Sequence, residues 1–128
     1  MTTTQILLLA LFLLIVYRFV KKSMVSKSVK HYEPEEVRGL MKSGRNHILL
    51  DVRTPKEHSD QNIKGSILIP LYELKTRAGE LKKFKDKEII CYCRTGNRSV
   101  NAAAKLKKMG FITANMKGGR ICRKDIFI

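Results

Sequence analysis

Short apolar runs alternate with amphipathic stretches over residues 34–116, and this alternation restricts the fold more than any other feature of the chain. Four runs are too short for helices and are typical of buried parallel strands, at residues 47–52, 66–70, 88–93 and 111–116. Helical patterns occupy the intervals, at residues 34–44, 54–57, 71–84 and 98–109. Strands that alternate with helices form a small parallel sheet with helices on both faces, so the sequence predicts an α/β domain.

A continuous apolar segment precedes this domain. From Thr2 to Val20 the only charged residue is Arg18, and 19 residues of helix are about 28 Å long, close to the roughly 30 Å hydrocarbon layer of a membrane. A cleaved signal peptide would need a basic start and a small-residue cleavage site, and neither is present. We therefore expect one transmembrane anchor at residues 1–22, a basic linker at 23–30 and a folded domain at 31–128.

Basic residues lie on the C-terminal flank of the anchor, at Arg18, Lys21, Lys22, Lys27 and Lys30. The positive-inside bias then predicts a single-pass protein whose soluble domain lies on the cytoplasmic side, at the inner membrane if the organism is bacterial.

The formal net charge of +15 narrows the classes of partner. Membrane lipid is expected first, through residues 2–20 and the basic residues beside them. Small anionic substrates would be concentrated by the same field. Nucleic acid is not expected, because the basic residues are scattered, Trp is absent and no recognition motif occurs. A solvated basic face without a specific partner remains open.

Cys93 ends a predicted strand, at the place where open α/β sheets bind their ligands. The loop and helix start that follow contain the candidate site residues Cys93, Arg94, Thr95, Gly96, Asn97, Arg98 and Ser99. Backbone N–H groups of such a loop can surround one anionic atom, and the helix N-terminus adds positive potential. With Arg94 and Arg98 nearby, we expect the pKa of Cys93 to lie below the usual value of about 8.5, which makes the thiol a nucleophile.

The other two cysteines are assigned less specific roles. Cys91 lies inside the predicted strand and is expected to fill the core. Cys122 is more consistent with core packing than with a second reactive thiol, and its role stays open. The three histidines, His31, His47 and His58, are dispersed without ligand spacing, so we expect no metal site.

Four motifs occur in an order and at spacings that resemble the rhodanese family, over residues 34–124. They are Asp-Val-Arg-Thr-Pro-Lys-Glu at 51–57, Asn-Ile-Lys-Gly-Ser-Ile-Leu-Ile-Pro at 62–70, the Cys loop at 91–99 and Gly-Gly-Arg-Ile at 118–121. The resemblance implies a rhodanese-like fold and a sulfurtransferase without a cofactor. The Cys93 thiolate would take a sulfane sulfur from thiosulfate, hold it as a persulfide and pass it to cyanide or a thiol. The loop amides would hold the persulfide, and Arg94 and Arg98 would attract anionic donors.

The chain departs from the family pattern at three positions. Asn62 stands where the family often has His, His58 where an aromatic residue is common, and Arg123 where Trp usually follows the Gly-Gly turn.

Two other functions remain open. A phosphatase or arsenate reductase would use a similar loop, but Cys93 and Arg98 are separated by four residues where the related phosphatases resemble Cys-x5-Arg. A membrane-tethered module that binds sulfane sulfur or a partner without turnover would retain the same residues.

Overall fold

A five-stranded parallel sheet organises the chain. The structure, a computed structural model, describes residues 1–44 and 46–118. The strands are β1 (Lys30–Tyr32), β2 (His47–Asp51), β3 (Ile67–Leu68), β4 (Glu88–Tyr92) and β5 (Ile112–Met116). Their order across the sheet is β1-β5-β4-β2-β3, and every neighbouring pair is parallel. The predicted parallel α/β fold is confirmed, with β4 at the centre of the sheet.

Helices connect the strands. They are α1 (Thr3–Lys27), α2 (Pro34–Ser43), α3 (Pro55–Asp60), α4 (Leu74–Arg77) and α5 (Asn97–Lys108). Pro occupies the first position of both α2 and α3, where its missing N–H costs no hydrogen bond. The hydroxyl of Thr54 accepts from the N–H of Glu57, and this capping box fixes where α3 begins.

The core lies on both faces of the sheet because successive strand residues point to opposite sides. One cluster contains Cys91 from β4 together with Leu106 of α5 and Leu74 of α4. The other contains Ile90, the residue before Cys91, together with Val37 of α2. These two layers hold β4 rigidly and fix the point at which the chain leaves its carboxyl end.

The N-terminal helix α1 is long and apolar enough to cross a membrane, and none of its residues is buried by the rest of the chain. The structure differs from the expected linker at residues 23–30. Helix α1 continues to Lys27, Val29 is buried against the core, and β1 begins at Lys30. Apolar packing by Val25 and Val29 explains why this basic segment is ordered.

The segment 71–84 also differs from the single helix that was expected. It folds as a 3₁₀ turn (Leu71–Glu73), the short helix α4 and a second 3₁₀ stretch (Ala78–Phe84). Gly79 lies within the last of these, where its conformational freedom weakens a regular α-helix.

Candidate active site

The thiol of Cys93 lies just past the carboxyl end of β4, under the loop that leads into α5. Strands β2 and β5 flank β4, so the thiol sits at the middle of the sheet edge. The side chain is buried, whereas those of Arg94, Thr95 and Asn97 in the covering loop are exposed. A fixed sulfur atom is thus placed one layer below the surface at the site where α/β sheets bind ligands.

Two backbone N–H groups donate to this sulfur atom. The N–H of Gly96 lies 3.0 Å from Cys93 Sγ, and the N–H of Ser99 lies 3.4 Å from it. The hydroxyl of Ser99 is 3.3 Å from the same atom. The loop therefore surrounds the thiol with hydrogen-bond donors, an arrangement that favours a negatively charged sulfur.

The pKa of the Cys93 thiol lies below its usual value as the result of two opposing effects. Burial raises the pKa, because it disfavours the thiolate. Hydrogen bonds from the hydroxyl and N–H of Ser99, and from the N–H groups of Gly96 and Thr95, outweigh burial and lower it. In Cys91, which has no such donors, burial raises the pKa, as expected for a core thiol.

Two glycines allow the loop to close over the sulfur. Gly96 has φ +94°, a left-handed conformation that favours glycine, and it turns its N–H toward Cys93. Gly118 packs directly on the loop, because a Cβ there would overlap the carbonyl of Thr95 and the nitrogen of Gly96. The remainder of the predicted Gly-Gly motif, from Gly119 onward, lies outside the described residues, as does Cys122.

The guanidinium of Arg98 is paired with a carboxylate. Its Nη1 and Nη2 lie 2.7 and 3.0 Å from the two carboxyl oxygens of Glu57 at the start of α3. This pairing with Arg98 lowers the pKa of Glu57 to about 2. The groups that lower the pKa of Cys93 by hydrogen bonding are Ser99 and the loop amides. The hydrogen bond to Glu57, and in turn the charge interaction with Cys93, raise the pKa of Arg98.

Arg94 is the free cation of the loop. Its side chain is exposed, and no ion pair holds it within residues 1–44 and 46–118. It can therefore contact an anion that approaches from solvent.

The sequence analysis did not identify one buried polar residue that contacts Ser99. Asn115 on β5 is buried, and its Oδ1 lies 2.5 Å from the hydroxyl of Ser99. Its Nδ2 lies 3.0 Å from Nδ1 of His31 on β1. An Asn inside an apolar strand is the only sequence signal for this contact, since the partner residues are distant in the chain.

A buried ion pair supports the neighbouring strand end. Asp51 closes β2, and its carboxylate accepts from Nε and Nη2 of Arg53 at 2.9 and 2.8 Å. His58 Nδ1 contacts the same carboxylate at 2.8 Å. Burial alone would raise the pKa of Asp51, but the hydrogen bonds from Arg53 and His58 outweigh it and lower that pKa.

A cavity of about 760 Å³ lies between the end of α1 and the start of α5. Its α5 wall contains Asn97, which belongs to the Cys93 loop. Its α1 wall combines apolar and basic side chains, namely Leu14, Tyr17, Arg18, Phe19, Lys21, Lys22 and Val25.

Comparison with known proteins agrees with this architecture. Residues 33–120 match the family model described as a rhodanese-like domain. Because the match covers more than half of the chain, the protein belongs to the rhodanese-like domain family.

Two relatives match this chain over very different shares of their own length. The chain is 40% identical over 87 residues to the probable adenylyltransferase/sulfurtransferase MoeZ of Mycobacterium tuberculosis, covering 67% of this chain and 22% of MoeZ. It is 35% identical over 75 residues to a sulfurtransferase of Allochromatium vinosum, covering 58% of this chain and 68% of that protein. The chain thus spans about a fifth of the first relative and about two thirds of the second.

Among solved structures, the single-domain sulfurtransferase RDL2 of Saccharomyces cerevisiae superposes with a TM-score of 0.61 at 28% identity. The superposition covers 72% of this chain and 85% of RDL2. The homologues of this chain are therefore rhodanese-domain sulfurtransferases at modest identity.

Proposed function

We propose that the protein is a sulfurtransferase that takes a sulfane sulfur from a small sulfur-containing anion such as thiosulfate and carries it as a persulfide on Cys93. The acceptor is a thiophile, either cyanide or a thiol. The observation that carries the proposal is the pair of backbone N–H groups that donate to Cys93 Sγ.

The chemistry has two displacements. The Cys93 thiolate attacks the outer sulfur of thiosulfate, a new S–S bond forms, and sulfite leaves with the electron pair of the broken bond. Cyanide then attacks the terminal persulfide sulfur, thiocyanate departs and the thiolate is restored. Charge balances in both steps, and neither requires an external oxidant or reductant.

Four residues of the loop have a role in this reaction. The amides of Gly96 and Ser99 stabilise negative charge on sulfur before the attack and again when the thiolate is released. Exposed Arg94 draws the doubly charged donor toward the loop, and Arg98 adds positive charge from its fixed position against Glu57. Because Cys93 is buried, the donor enters when the exposed tip of the loop moves aside.

Mass spectrometry of the intact full-length chain in detergent tests the proposal. Incubation with thiosulfate should add one sulfur atom, and cyanide should remove it with formation of thiocyanate. Cys93→Ser should show neither change. Cys91→Ser is the matched control, because it removes a thiol two residues away, inside β4, and should retain both changes. Failure of the wild-type chain to gain sulfur would refute the proposal.

We also propose that α1 anchors the domain to the cytoplasmic face of a membrane, with anionic lipid as its partner. The apolar length of α1 and the basic residues at its C-terminal end support this, as does the basic and apolar wall of the cavity. The protein should remain in the membrane fraction when membranes are extracted with alkaline carbonate. A C-terminal tag should be protected from protease in sealed spheroplasts and cleaved in inverted vesicles; the opposite pattern would refute this orientation.

A further inference from the structure

The chain reverses direction between α1 and the sheet. Helix α1 ends at Lys27, and β1 starts at Lys30 after only two residues. Nε2 of His31 on β1 lies 2.7 Å from the carbonyl of Ser26, so β1 folds back beside the last turn of α1. Every neighbouring pair of strands is parallel, so all five strands run in the direction of β1. Their carboxyl ends, where Cys93 lies, therefore point toward the N-terminal part of α1.

Helix α5 lies beside α1 and runs in the same direction. At its C-terminal end, Nζ of Lys107 donates to the carbonyl of Ser28 at 2.7 Å. At its start, Asn97 lines the cavity of about 760 Å³ together with Arg18. Asn97 and Lys107 are ten positions apart, which is about 15 Å of helix. Arg18 is also ten positions from Ser28, so the loop that covers Cys93 lies level with the end of the apolar segment.

This level coincides with the membrane surface if α1 spans the bilayer as proposed. The apolar segment of α1 ends at Val20, and its length matches the hydrocarbon layer. The stretch from Arg18 to Lys22 extends over about 6 Å, comparable with a head-group layer of about 5 to 8 Å. The location of the loop therefore depends on the proposed membrane anchor and not on sulfur transfer.

The α1 wall of the cavity matches an anionic phospholipid in charge and in polarity. Leu14 lies toward the bilayer centre, and the cations Arg18, Lys21 and Lys22 follow toward the surface. A phospholipid has the same order, with acyl chains inward and phosphate outward. In the part of the chain that the structure describes, no carboxylate lines the cavity and none of the three cations forms an ion pair. The cations are therefore available to a phosphate group.

The opposite wall belongs to α5 and is mainly polar. Asn97 and Asn101 are exposed, and their side-chain amides can donate to a phosphate or glycerol oxygen. Val100, which also lines the cavity, adds apolar surface. A head group in this cavity would thus contact α1 on one side and the start of α5, next to the Cys93 loop, on the other.

We propose that the active-site edge of the sheet faces the membrane surface, and that the cavity between α1 and α5 is a binding site for the head group of an anionic phospholipid. The phosphate pairs with Arg18, Lys21 and Lys22, and the first carbons of the acyl chains lie against Leu14. Molecules that reach Cys93 then pass through the head-group layer.

Tryptophan fluorescence of the full-length chain in vesicles of brominated phosphatidylcholine tests the orientation. The chain contains no Trp, so one introduced residue supplies the whole signal, and bromine quenches it only at short range. Asn97→Trp should be quenched. Asn46→Trp is the matched control, because Asn46 is also exposed and its carbonyl accepts from the N–H of Glu88 at the amino end of β4. That end lies about 16 Å from the carboxyl edge, so Asn46→Trp should keep its fluorescence.

Vesicles of phosphatidylcholine with a varied share of one brominated lipid test the site. Each basic residue near an anionic surface contributes a factor of about five in affinity. Half-maximal quenching of Asn97→Trp should therefore need about a fifth or less as much brominated phosphatidylglycerol as brominated phosphatidylcholine. Adding Lys21→Gln/Lys22→Gln should raise the phosphatidylglycerol share at least about fivefold. The matched control, Lys82→Gln/Lys83→Gln, removes two exposed adjacent lysines that precede the amino end of β4, and it should change nothing.

Four results would overturn the inference. They are equal quenching of Asn97→Trp and Asn46→Trp, equal shares of the two brominated lipids, an equal change in the lysine control, or relief of quenching by soluble glycerol phosphate, which would indicate a site for a free anion. Asn101→Trp, on the same wall of the cavity, supplies the answer if circular dichroism shows that Asn97→Trp does not fold.

Failure of this lipid site is distinguishable from failure of the proposed function. A chain that alkaline carbonate extracts from membranes refutes the anchor itself, whereas an anchored chain with any of the four results refutes only the site. If quenching behaves as expected while thiosulfate adds no sulfur, the proposed sulfur transfer fails and the lipid site stands.

Discussion

Replacing Asp51 by Asn should destabilise the domain strongly at neutral pH. Asp51 is fully buried and Arg53 is 5% exposed, so the substitution leaves the Arg53 guanidinium inside the protein without its countercharge. The carboxylate accepts three hydrogen bonds from Arg53, two from the guanidinium and one from the backbone N–H. Removing one partner of such a buried pair costs about 3 to 5 kcal/mol.

The stability lost in Asp51→Asn should depend on pH, and the direction follows from the pKa of Asp51. The folded-state pKa of Asp51 lies below the unfolded value of about 3.9, so the carboxylate stabilises the fold fully above that value. Its contribution disappears as the pH falls through the folded pKa. The wild type and Asp51→Asn should therefore differ most near pH 7 and converge in acid.

Thermal unfolding of the full-length chain in detergent, followed by circular dichroism, measures this difference. In a domain of this size, each kcal/mol of lost stability lowers the melting midpoint by about 4 to 8 °C. The midpoint of Asp51→Asn should therefore fall by about 12 °C or more. Glu80→Gln is the matched control, since exposed Glu80 forms a surface ion pair with Arg77 and its replacement should leave the midpoint unchanged. Equal melting of Asp51→Asn and wild type at pH 7, or a difference that persists in acid, would refute the reasoning.

Three further outcomes are expected. Gly118→Ala should abolish thiosulfate-dependent sulfur uptake, because the added methyl overlaps the loop backbone, whereas Gly39→Ala, with open space around it, should have no effect on uptake. Arg98→Gln leaves the Glu57 carboxylate without its countercharge, so that carboxylate repels the anionic donor. The KM for thiosulfate should rise about tenfold, and Arg98→Lys should recover part of the loss. Thiosulfate turnover should fall as the pH is lowered through the depressed pKa of Cys93, and a rate that rises as the pH is lowered would contradict a thiolate nucleophile.

Patterns within short stretches of the sequence predicted most of the strands and helices of the fold. The strand at 88–93 and the helix after Gly96 are visible because an apolar run and a helical stripe each occupy consecutive residues. Strand β1 was not predicted, since Lys30, His31 and Tyr32 show no apolar run and become a strand only by pairing with β5. Tertiary contact, rather than local preference, decides such an edge strand.

The site was predictable to the extent that its residues adjoin Cys93 in the sequence. The loop amides and Ser99 lie within six positions of the thiol. Glu57 is 41 positions from Arg98, and His31 is 84 positions from Asn115. Contacts at such separations depend on strand order, which the sequence pattern left open, so the partner of Arg98 and the polar chain behind Ser99 required the structure.

The unbroken course of α1 limits where the protein can work if that helix lies in a bilayer. Only Ser28 and Val29 separate it from β1, and seven residues of helix beyond Val20 extend about 10 Å. A flexible tether would let the domain sweep a wide volume, whereas this short rigid connection, with the start of α5 beside α1, keeps the thiol at a nearly constant distance from the membrane surface. Encounters with membrane-bound partners then become a two-dimensional search at high effective concentration, while a bulky soluble partner must approach along the membrane surface.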